Sequence, residues 1–370
     1  MGPHPAVAAV RLAVRRALAG QPEGVPATVA CSGGADSVAL AAALAFEAAR
    51  TQRPAGLICV DHGLQPGSAA VSDQVGVLGY ELGLDPVRVL RVAVSPAGNG
   101  LEAAARTARY AALQPFTAAG PVLLGHTADD QAETVLLGLG RGSGPRSIAG
   151  MRAEQGGYLR PLLALRRATT EAACAALGLP VWQDPHNADS RFRRVRLRRE
   201  VLPLLEEVLA GGVTEALART AEQLQADLDT LDLLAHRALS AAAVPDGSGA
   251  DPPGGLSAAV LGEQPDGVLG RALKAWAERG GAGPLTAGQV RQLCRLVRDW
   301  RGQGPIDLPG GYRAERASGT LGLIPPVPAQ PVSAQPVSAQ PVPAQPVPAP
   351  AAGPPATEVA GSAPAQSREE

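Results

Sequence analysis

The segment SGGADS, residues 32–37, combines residue types that bind an anion. It lies between a short apolar run and a helical pattern, so Gly33 and Gly34 can take positive φ and bring backbone N–H groups and a helix N-terminus up to a phosphate. Asp36 would repel a bare phosphate, and it fits the segment if Mg²⁺ bridges it to the phosphate oxygens. Taken alone, such a glycine pair is more often a tight strand–helix turn with a serine cap. The candidate residues are Ser32, Gly33, Gly34, Ala35, Asp36 and Ser37.

A second candidate cluster lies in GHTADDQAET, residues 125–134. Asp129 and Glu133 are four residues apart, so on a helix they share one face and can hold an ammonium group or a metal. Asp130 is rotated from them by about 100° and need not join them. The alternative is structural, because Thr127 and Asp130 can form a capping box that leaves Asp129 and Glu133 as ordinary acids of the first turns.

Positive charge is concentrated in one part of the chain. Residues 140–199 hold twelve arginines and four acidic residues, whereas the whole chain has a formal net charge of −1. Two sets of arginines recur at helical spacing, which places each set on one helix face where it fits phosphates. The alternative is ion pairing with surface acids, because Lys274 is the only lysine and arginine is the default cation here. The candidate phosphate contacts are Arg106, Arg109, Arg141, Arg194 and Arg198, with Arg191 on the same stripe as the last two.

Buried strands must position these side chains. Four apolar runs alternate with segments of helical pattern, which indicates an α/β fold, a parallel sheet with crossover helices on both faces. Ligands in such folds lie at the carboxyl ends of the strands. SGGADS, the pair Asp61 and His62, and the segment His126–Glu133 each directly follow a run, so we expect them to meet at one edge of the sheet. The runs cover residues 25–33, 55–63, 86–94 and 121–126.

Composition divides the chain into three parts. Residues 1–210 contain the predicted sheet, and Gly211-Gly212 follows it. Residues 211–325 are predicted to form a smaller, mostly helical domain. Residues 326–370 are rich in proline and repeat AQPV four times, so they cannot bury a core and are expected to form a disordered, extended tail. Within the second part, helices are predicted over 213–243, 257–280 and 286–300, and a short β element over 306–324.

The composition excludes several classes of protein. No apolar stretch reaches the about 20 residues that a membrane span needs, and arginines interrupt the N-terminal segment where a signal peptide would be apolar. Four widely spaced cysteines form no CxxC pair, so the chain has no local zinc or iron–sulfur signature. A cytoplasmic protein that does not contact a membrane is expected.

SGGADS resembles the SGGxDS signature of the N-type ATP pyrophosphatases, which split ATP into AMP and pyrophosphate. Six further motifs resemble the tRNA(Ile)-lysidine synthetase family in order and spacing over residues 25–205, and IDLPGGYRAER is similar to its C-terminal substrate domain. Two positions depart from the pattern: Thr127 stands where a second histidine is frequent, and Val195 where an asparagine is common. The motifs are VDHGL (60–64), LEAAARTARYAAL (101–113), GHTADDQAET (125–134), RGSG (141–144), RPLL (160–163) and DPHNADSRFRRVRLRREVLPLL (184–205).

The resemblance implies an adenine nucleotide alpha hydrolase-like fold and one reaction. The 2-carbonyl oxygen of the wobble cytidine in tRNA(Ile) with a CAU anticodon attacks the α-phosphate of ATP, and pyrophosphate leaves. The ε-amine of L-lysine then attacks the adenylated carbon, AMP leaves and lysidine remains. The implied catalytic residues are Asp36 with Mg²⁺, His126, Asp129 and Glu133; residues 32–37, Asp61 and His62 would bind ATP, and the five arginines would contact tRNA or phosphate. The assembly stays open, with a homodimer as one alternative.

Three other functions remain open from the sequence. A tRNA 2-thiolation enzyme uses a similar loop, but it usually needs a CxxC or a pair of catalytic cysteines. An amidating pyrophosphatase of small metabolites, such as a GMP or NAD synthetase, does not require the positive stretch over 140–199. An inactive RNA-binding protein of the same fold would not need Asp36 and both glycines, which the loop retains.

Overall fold

A six-stranded sheet lies at the centre of the first part of the chain. The computed structural model of the protein describes residues 2–65, 67–94, 100–142, 144–184, 189–244 and 255–326. The strands are β1 (Ala27–Ala30), β2 (Ala55–Asp61), β3 (Val87–Arg91), β4 (Val122–Leu124), β5 (Glu154–Gln155) and β6 (Tyr158–Leu159). Their order is β3-β2-β1-β4-β6-β5, and every neighbouring pair is parallel except β5 with β6. The predicted parallel sheet is confirmed, with an unpredicted hairpin at one edge.

Helices cover both faces of this sheet. They are α1 (Pro5–Ala19), α2 (Ala35–Thr51), α3 (Ser68–Glu81), α4 (Leu101–Leu113), α5 (Ala128–Arg141), α6 (Pro145–Ile148) and α7 (Arg167–Leu177). α1, α2 and α7 pack against one another over a core that contains Leu57 and Leu123. The alternating strand positions Ile58 and Val122 point to the other face, where they pack with Leu113 of α4. Burial on both faces explains why the strands read as continuous apolar runs.

The order of the strands reverses between β1 and β4. From β1 the chain moves outward through β2 and β3, and from β4 it moves outward on the other side to β6 and β5. Loops that leave two such strands diverge and open a crevice, the usual position of a ligand in this fold class. The two loops touch, because a Cβ on Gly125, directly after β4, would lie 3.1 Å from the backbone of Asp36 at the start of α2.

Residues 193–326 add further helices and a second sheet. The helices are α8 (Arg193–Arg196), α9 (Leu202–Val208), α10 (Val213–Ala242), α11 (Ala258–Gly262), α12 (Asp266–Arg279) and α13 (Ala287–Arg298), and a π-helical turn, Leu197–Val201, joins α8 to α9. The antiparallel sheet has the order β7-β8-β11-β10-β9, with β7 (Ala243–Val244), β8 (Gly255–Ser257), β9 (Ile306–Asp307), β10 (Arg313–Ala317) and β11 (Thr320–Ile324). Trp276 of α12 is fully buried in the core between this sheet and the helices.

The 30-residue helix α10 belongs to both parts of the structure. It packs against α5 and α6, and its Asp229 pairs with Arg152 at 2.5 Å. Its last residues are buried in the core around Trp276. Asp232 joins the two parts, since it accepts from Arg146 of α6 at 2.7 Å and from Arg271 of α12 at 2.9 Å.

Most elements predicted within residues 211–325 are present in the structure, and one helix differs from the prediction. The long helix over 213–243 and the β element over 306–324 are confirmed. The helix expected over 257–280 is two helices, because Pro265 lacks an N–H and precedes α12 as its N-cap. The expected disordered tail lies outside the described residues apart from Pro326. None of the described helices combines the length and the apolar character that crossing a membrane requires.

Candidate active site

The loop after β1 carries SGGADS and leads directly into α2. Gly33 has a φ of +87°, and a Cβ at this position would lie 3.1 Å from Val75. The Ser37 hydroxyl accepts from the Ser32 backbone N–H at 3.1 Å and donates to the Gly34 carbonyl at 2.9 Å, so it closes the loop. Gly34 supplies no side-chain cap to α2. The N–H groups of Ser37 and Val38 bond the Gly34 carbonyl at 3.0 Å, so those of Ala35 and Asp36 remain for a ligand.

Asp36 lies in the first turn of α2, and both of its carboxylate oxygens are bonded. Arg167 Nε donates to Oδ2 at 3.0 Å, and the buried hydroxyl of Thr170 donates to Oδ1. Arg167 and Thr170 lie in the first turn of α7, so this carboxylate joins the N-termini of two helices. Burial raises the pKa of Asp36 above its ordinary value, although Arg167 and Thr170 oppose the shift.

Arg167 also joins Asp36 to the acids of α5. Its Nη2 donates to Asp130 Oδ1 at 2.8 Å, and its backbone N–H donates to Asp129 Oδ2 at 2.8 Å. Asp130 Oδ2 accepts from the Thr127 backbone N–H at 2.8 Å, so the capping box that the sequence offered as the structural alternative is present at the start of α5. Arg167 holds the other oxygen of Asp130, so this residue also joins the cluster, which its position on the helix did not require.

Glu133 lies one turn further along α5 and is fully buried. Arg198 Nε donates to its Oε1 at 2.7 Å, and Arg194 Nη1 lies 3.7 Å from its Oε2. Arg198 Nη2 also lies 3.5 Å from Asp130 Oδ1, so the acids of α5 and these arginines form one network. Arg198 belongs to the π-helical turn, a feature that is frequent at functional sites. Burial raises the pKa of Glu133, against the influence of Arg198.

Two imidazoles border this network, His126 after β4 and His62 after β2. The Nδ1 atom of each ring is buried and has no hydrogen-bond partner among the described residues. Burial, followed by the charges of Arg109 and Arg160, lowers the pKa of His126 to about 3. Burial and the Arg109 charge lower the pKa of His62 as well. The His126 ring is therefore neutral at physiological pH, and its free nitrogen can bond to a ligand.

The remaining residues that were predicted for the site lie around it or apart from it. Asp61 is buried and accepts from the Gly63 N–H at 2.9 Å, which shapes the turn after β2. Arg109 is close enough to both histidines for its charge to lower their pKa values. The Arg106 guanidinium lies over the Tyr110 ring, 4.9 Å from its centroid. Arg141 is exposed at the end of α5.

Arg167 and Thr170 are central to the site and were not among the predicted residues. A signal for Arg167 was present, because Arg166 and Arg167 open α7, where the helix dipole disfavours cations and acidic partners are required. Thr170 has no such signal, since a threonine in a helix is common and its hydroxyl partner, Asp36, is 134 residues away in the sequence.

The donor set fits a divalent cation that is shared with a phosphate. Among the residues that the structure describes, no three His, Cys, Asp or Glu side chains cluster as a metal cage. The Asp36 side chain is 19% exposed beside the anion loop. Mg²⁺ is commonly held by one or two carboxylates while phosphates and waters complete its shell, so Asp36 suits it. Arg167 Nη1 is buried without a partner in the described part of the chain, and it can donate to a phosphate oxygen.

The chain matches two family models, a PP-loop domain over residues 14–205 and a TilS substrate binding domain over residues 256–321. It is 50% identical over 355 residues to a tRNA(Ile)-lysidine synthase of Streptomyces coelicolor, which covers 87% of this chain and 99% of that protein. It is 54% identical over 289 residues to the tRNA(Ile)-lysidine synthase of Mycobacterium tuberculosis H37Rv, covering 78% and 86%. The enzyme of that name from Thermobifida fusca is 51% identical over 325 residues, covering 86% and 98%.

These matches include every part of the site. The PP-loop domain match contains the SGGADS loop, the acids of α5, Arg167 and the arginines of the π-helical turn. The second match contains Trp276, the helices α11 to α13 and the strands β9 and β10 of the second sheet. Identity of about half over nearly the full length of the relatives agrees with the motifs in the sequence. The chain belongs to the tRNA(Ile)-lysidine synthase family.

Proposed function

We propose that this chain ligates L-lysine to carbon 2 of the wobble cytidine of a tRNA(Ile) with a CAU anticodon, using ATP and an adenylated tRNA intermediate. One observation carries the proposal: the loop of residues 32–37, partly buried arginines and the carboxylates of α5 form one network at the ends of β1 and β4. Such a network can hold a polyphosphate and an ammonium group side by side, which this reaction requires. Membership of the family supports the choice of substrates.

The first step transfers the adenylate to the RNA. The 2-carbonyl oxygen of the cytidine attacks the α-phosphate of ATP, the bond to the β-phosphate oxygen breaks, and pyrophosphate leaves. The loop of residues 32–37, the first N–H groups of α2 and Arg167 Nη1 receive the charge that develops on the leaving group. Mg²⁺, held by Asp36, would neutralise part of that charge. The neutral His126 ring offers its free nitrogen to the adenylate.

The second step replaces the adenylate by lysine. The lysine Nε attacks carbon 2, the bond from that carbon to the AMP oxygen breaks, and AMP leaves with the electron pair. The lysine ammonium, with an ordinary pKa of about 10.4, must first lose a proton. Glu133 suits this role, because burial raises its pKa and its Oε2 has no hydrogen-bond partner within the described structure.

Asp130 and Asp129 support Glu133 in different ways. Burial opposes the ionisation of Asp130, but Arg167 and the Thr127 N–H outweigh it, so the Asp130 pKa lies below its ordinary value. Asp130 therefore remains charged while Glu133 takes up a proton. Two neighbouring carboxyl groups with different pKa values can take different roles in acid–base catalysis in this way. Asp129 bonds the Arg167 N–H and pairs with Arg166 at 3.2 Å, and we propose it as a positioning residue.

The cysteines argue against sulfur transfer as the function. Cys31, Cys59 and Cys174 are buried. Burial raises the pKa of Cys59 to about 12 and the pKa of Cys174 to about 11. A thiolate is the reactive form of cysteine, so these thiols are unreactive at neutral pH. We place the ligation in the cytoplasm and assign residues 211–325 to tRNA binding, with a homodimer as an open alternative to a monomer.

The proposal is tested by incubating the protein with ATP, labelled lysine and a transcript of the isoleucine tRNA. Label in the RNA, with one AMP and one pyrophosphate for each lysine, supports it. A folded protein that consumes ATP without labelling RNA overturns it. A transcript with uridine in place of the wobble cytidine is the matched control, and it should remain unlabelled.

The variant Glu133→Gln separates the two steps. It keeps the shape of the side chain and removes the charge that attracts the lysine ammonium. Adenylated tRNA should still form, while lysine incorporation falls roughly tenfold to hundredfold and the KM for lysine rises, the effect of losing one charge-assisted contact. Rapid-quench detection of the intermediate measures this, with Glu200→Gln in the exposed Arg196–Glu200 pair as control. If adenylation is lost as well, Glu133 belongs to the ATP site.

A further inference from the structure

A groove between α4 and the β5–β6 hairpin, here named the α4 groove, combines aromatic, cationic and amide side chains. Its volume is about 530 Å³, and Arg106, Tyr110, Gln114 and Tyr158 line it. This volume lies within the range of about 300–1,000 Å³ that is typical of sites for small ligands. The chain has only four tyrosines among ten aromatic residues, and two of the four meet in this groove. The concentration is unusual for so aromatic-poor a protein.

The two tyrosine rings form a rigid surface. They meet edge to face, with centroids 5.2 Å apart and an interplanar angle of 79°. Both pack on the core that contains Leu113 and Val122, which fixes their orientation. Arg106 Nη2 donates to the Tyr110 hydroxyl at 3.4 Å, and its guanidinium lies over the Tyr110 ring, so this cation forms part of the same surface. Fixed aromatic rings and arginine planes are the surfaces on which unpaired RNA bases stack.

The groove borders the active site. Arg160 is 6% exposed, and its Nη2 donates to the Tyr110 hydroxyl at 3.5 Å. The charges of Arg160 and Arg106 both act on the His126 ring, which we place at the adenylate. The next residue of α4 before Tyr110 is Arg109, whose charge acts on both histidines of the site. A nucleotide adjacent to the reacting one is therefore within reach of the groove.

We propose that the α4 groove binds the adenine directly 3′ of the wobble cytidine, stacked on the tyrosines and bonded by the Gln114 amide. This inference rests on the proposed function, since the CAU anticodon places an adenine at that position. Gln114 is exposed in the groove, and a glutamine amide can pair with adenine through one donor and one acceptor. The groove thus reads the second anticodon base while the first one reacts.

The test uses an anticodon stem-loop with 2-aminopurine in place of that adenine, because the fluorescence of 2-aminopurine falls when the base stacks. This base lacks the 6-amino group of adenine, so its quenching reports the stacking and not the contact with Gln114. We expect the wild-type protein and Tyr158→Phe, which keeps the ring, to quench it. Tyr158→Leu should lose most of the quenching and weaken stem-loop binding roughly fivefold to hundredfold, the range for one stacked base. The KM values for ATP and lysine should not change. Tyr80→Leu, at an exposed tyrosine of α3, is the matched control.

Gln114→Ala gives a second readout at an exposed position that the fold does not depend on. It should reduce the preference for adenine over purine, which lacks the 6-amino group, while the wild-type protein retains that preference. Unquenched fluorescence with the wild-type protein, in a stem-loop that still receives lysine, overturns the groove proposal and leaves the proposed function standing. Quenching without any lysine incorporation has the opposite meaning: the groove binds the base and the proposed function fails.

Discussion

Asp36 bonds Arg167 with one oxygen and Thr170 with the other, yet its burial still raises its pKa. Some carboxyl groups have a higher pKa in the folded state than in the unfolded chain. Such a group destabilises the fold at any pH above its pKa in the unfolded chain, because it ionises more easily there. The charge at this position therefore lowers the stability of the folded protein.

Asp36→Asn is expected to keep or raise the melting temperature at pH 7, because it removes a buried charge. Pyrophosphate release should fall to background, since the side chain no longer attracts a divalent cation. Thermal melting and pyrophosphate release are measured on the same preparation, with Asp73→Asn in the exposed Arg91–Asp73 pair as control. Release near the wild-type rate would remove Asp36 from the metal site.

For single residues, the sequence identified one member of a contact more readily than its partner. Asp36, Glu133 and Arg198 stand out from motif and spacing. The catalytic roles of Asp36 and Glu133 and the phosphate contact of Arg198 stay predictions. The partner of Asp36 is Arg167, 131 residues further along the chain, and helical spacing rules reach only one or two turns. Spacing alone also left the place of Asp130 open, because its two oxygens bond the cap of α5 and Arg167 at once.

Among the elements, α1 and α2 are clamped by Glu47, whose side chain is 1% exposed. Arg15 donates to both of its oxygens at 3.0 and 2.9 Å, and Arg50 adds a bond of 3.0 Å. The hydrogen bonds from Arg15 hold the pKa of Glu47 below its ordinary value. A lowered folded-state pKa gives stability that is present above the unfolded pKa and is lost as the pH falls through the folded one.

Glu47→Gln is therefore expected to lower the melting temperature at pH 7 by several degrees. The difference from the wild type should shrink as the pH falls from about 4.5, where Glu47 of the unfolded chain takes up a proton, through the lower pKa of the folded state. Melting curves between pH 7 and pH 3 check this, and Glu81→Gln on exposed α3 surface is the control. A difference that is constant over this range would show that the charge of Glu47 does not clamp the helices.

Two glycines of α5 should respond in opposite ways to the same substitution. A Cβ on Gly138 would lie 1.9 Å from the Ser147 carbonyl oxygen of α6, whereas a Cβ on Gly140 would meet nothing within 4 Å. Gly138→Ala should therefore destabilise the protein by roughly 1–3 kcal/mol through overpacking. Gly140→Ala should stabilise it by about 0.5–1 kcal/mol, because alanine loses less backbone entropy in a helix. Urea unfolding of both variants checks the pair, and equal effects would contradict the close crossing of α5 and α6.

The elements that the sequence predicted are those that lie in a long enough pattern. The strands β1 to β4 lie within the apolar runs 25–33, 55–63, 86–94 and 121–126, and the helix α10 carries a helical period over its length. The strands β5 to β8 have two or three residues each, and they exist through pairing with neighbours that are distant in the chain. Strand formation depends on such neighbours more than on intrinsic preference, so a local reading of the sequence does not find these strands.

On the scale of the whole molecule, the positive charge of residues 140–199 is largely neutralised by the protein itself. Arg152 and Arg146 pair with acids of α10, and Arg166 pairs with Glu215 at 2.9 Å. Arg191 and Arg196 pair with acids close to them in sequence. A count of charges along the chain therefore overstates what is available to RNA, and the arginines that face the site matter more than the total.

Deleting residues 327–370 is expected to leave the melting temperature and lysine incorporation unchanged. The AQPV repeats lack the apolar mass and the period that docking on a core requires. The truncated and full-length chains are compared by thermal melting and by labelling of the tRNA transcript. A fall of several degrees, or a loss of labelling, would mean that this segment contacts the rest of the protein.

The length of helix α10 sets the distance between the two parts of the structure that it joins. At 1.5 Å per residue its 30 residues span about 45 Å, and both ends are fixed: Glu206 bonds the N–H groups of Val213 and Thr214 at 3.0 Å, and the far end is embedded around Trp276. One inserted residue would turn everything beyond it by about 100° and advance it by 1.5 Å. Under the proposed function, α10 is a spacer of constant length between the chemistry and a second RNA contact. The protein would then select an RNA by the distance between its reactive base and that second contact. This selection depends on the size of the RNA and does not require contacts to its bases.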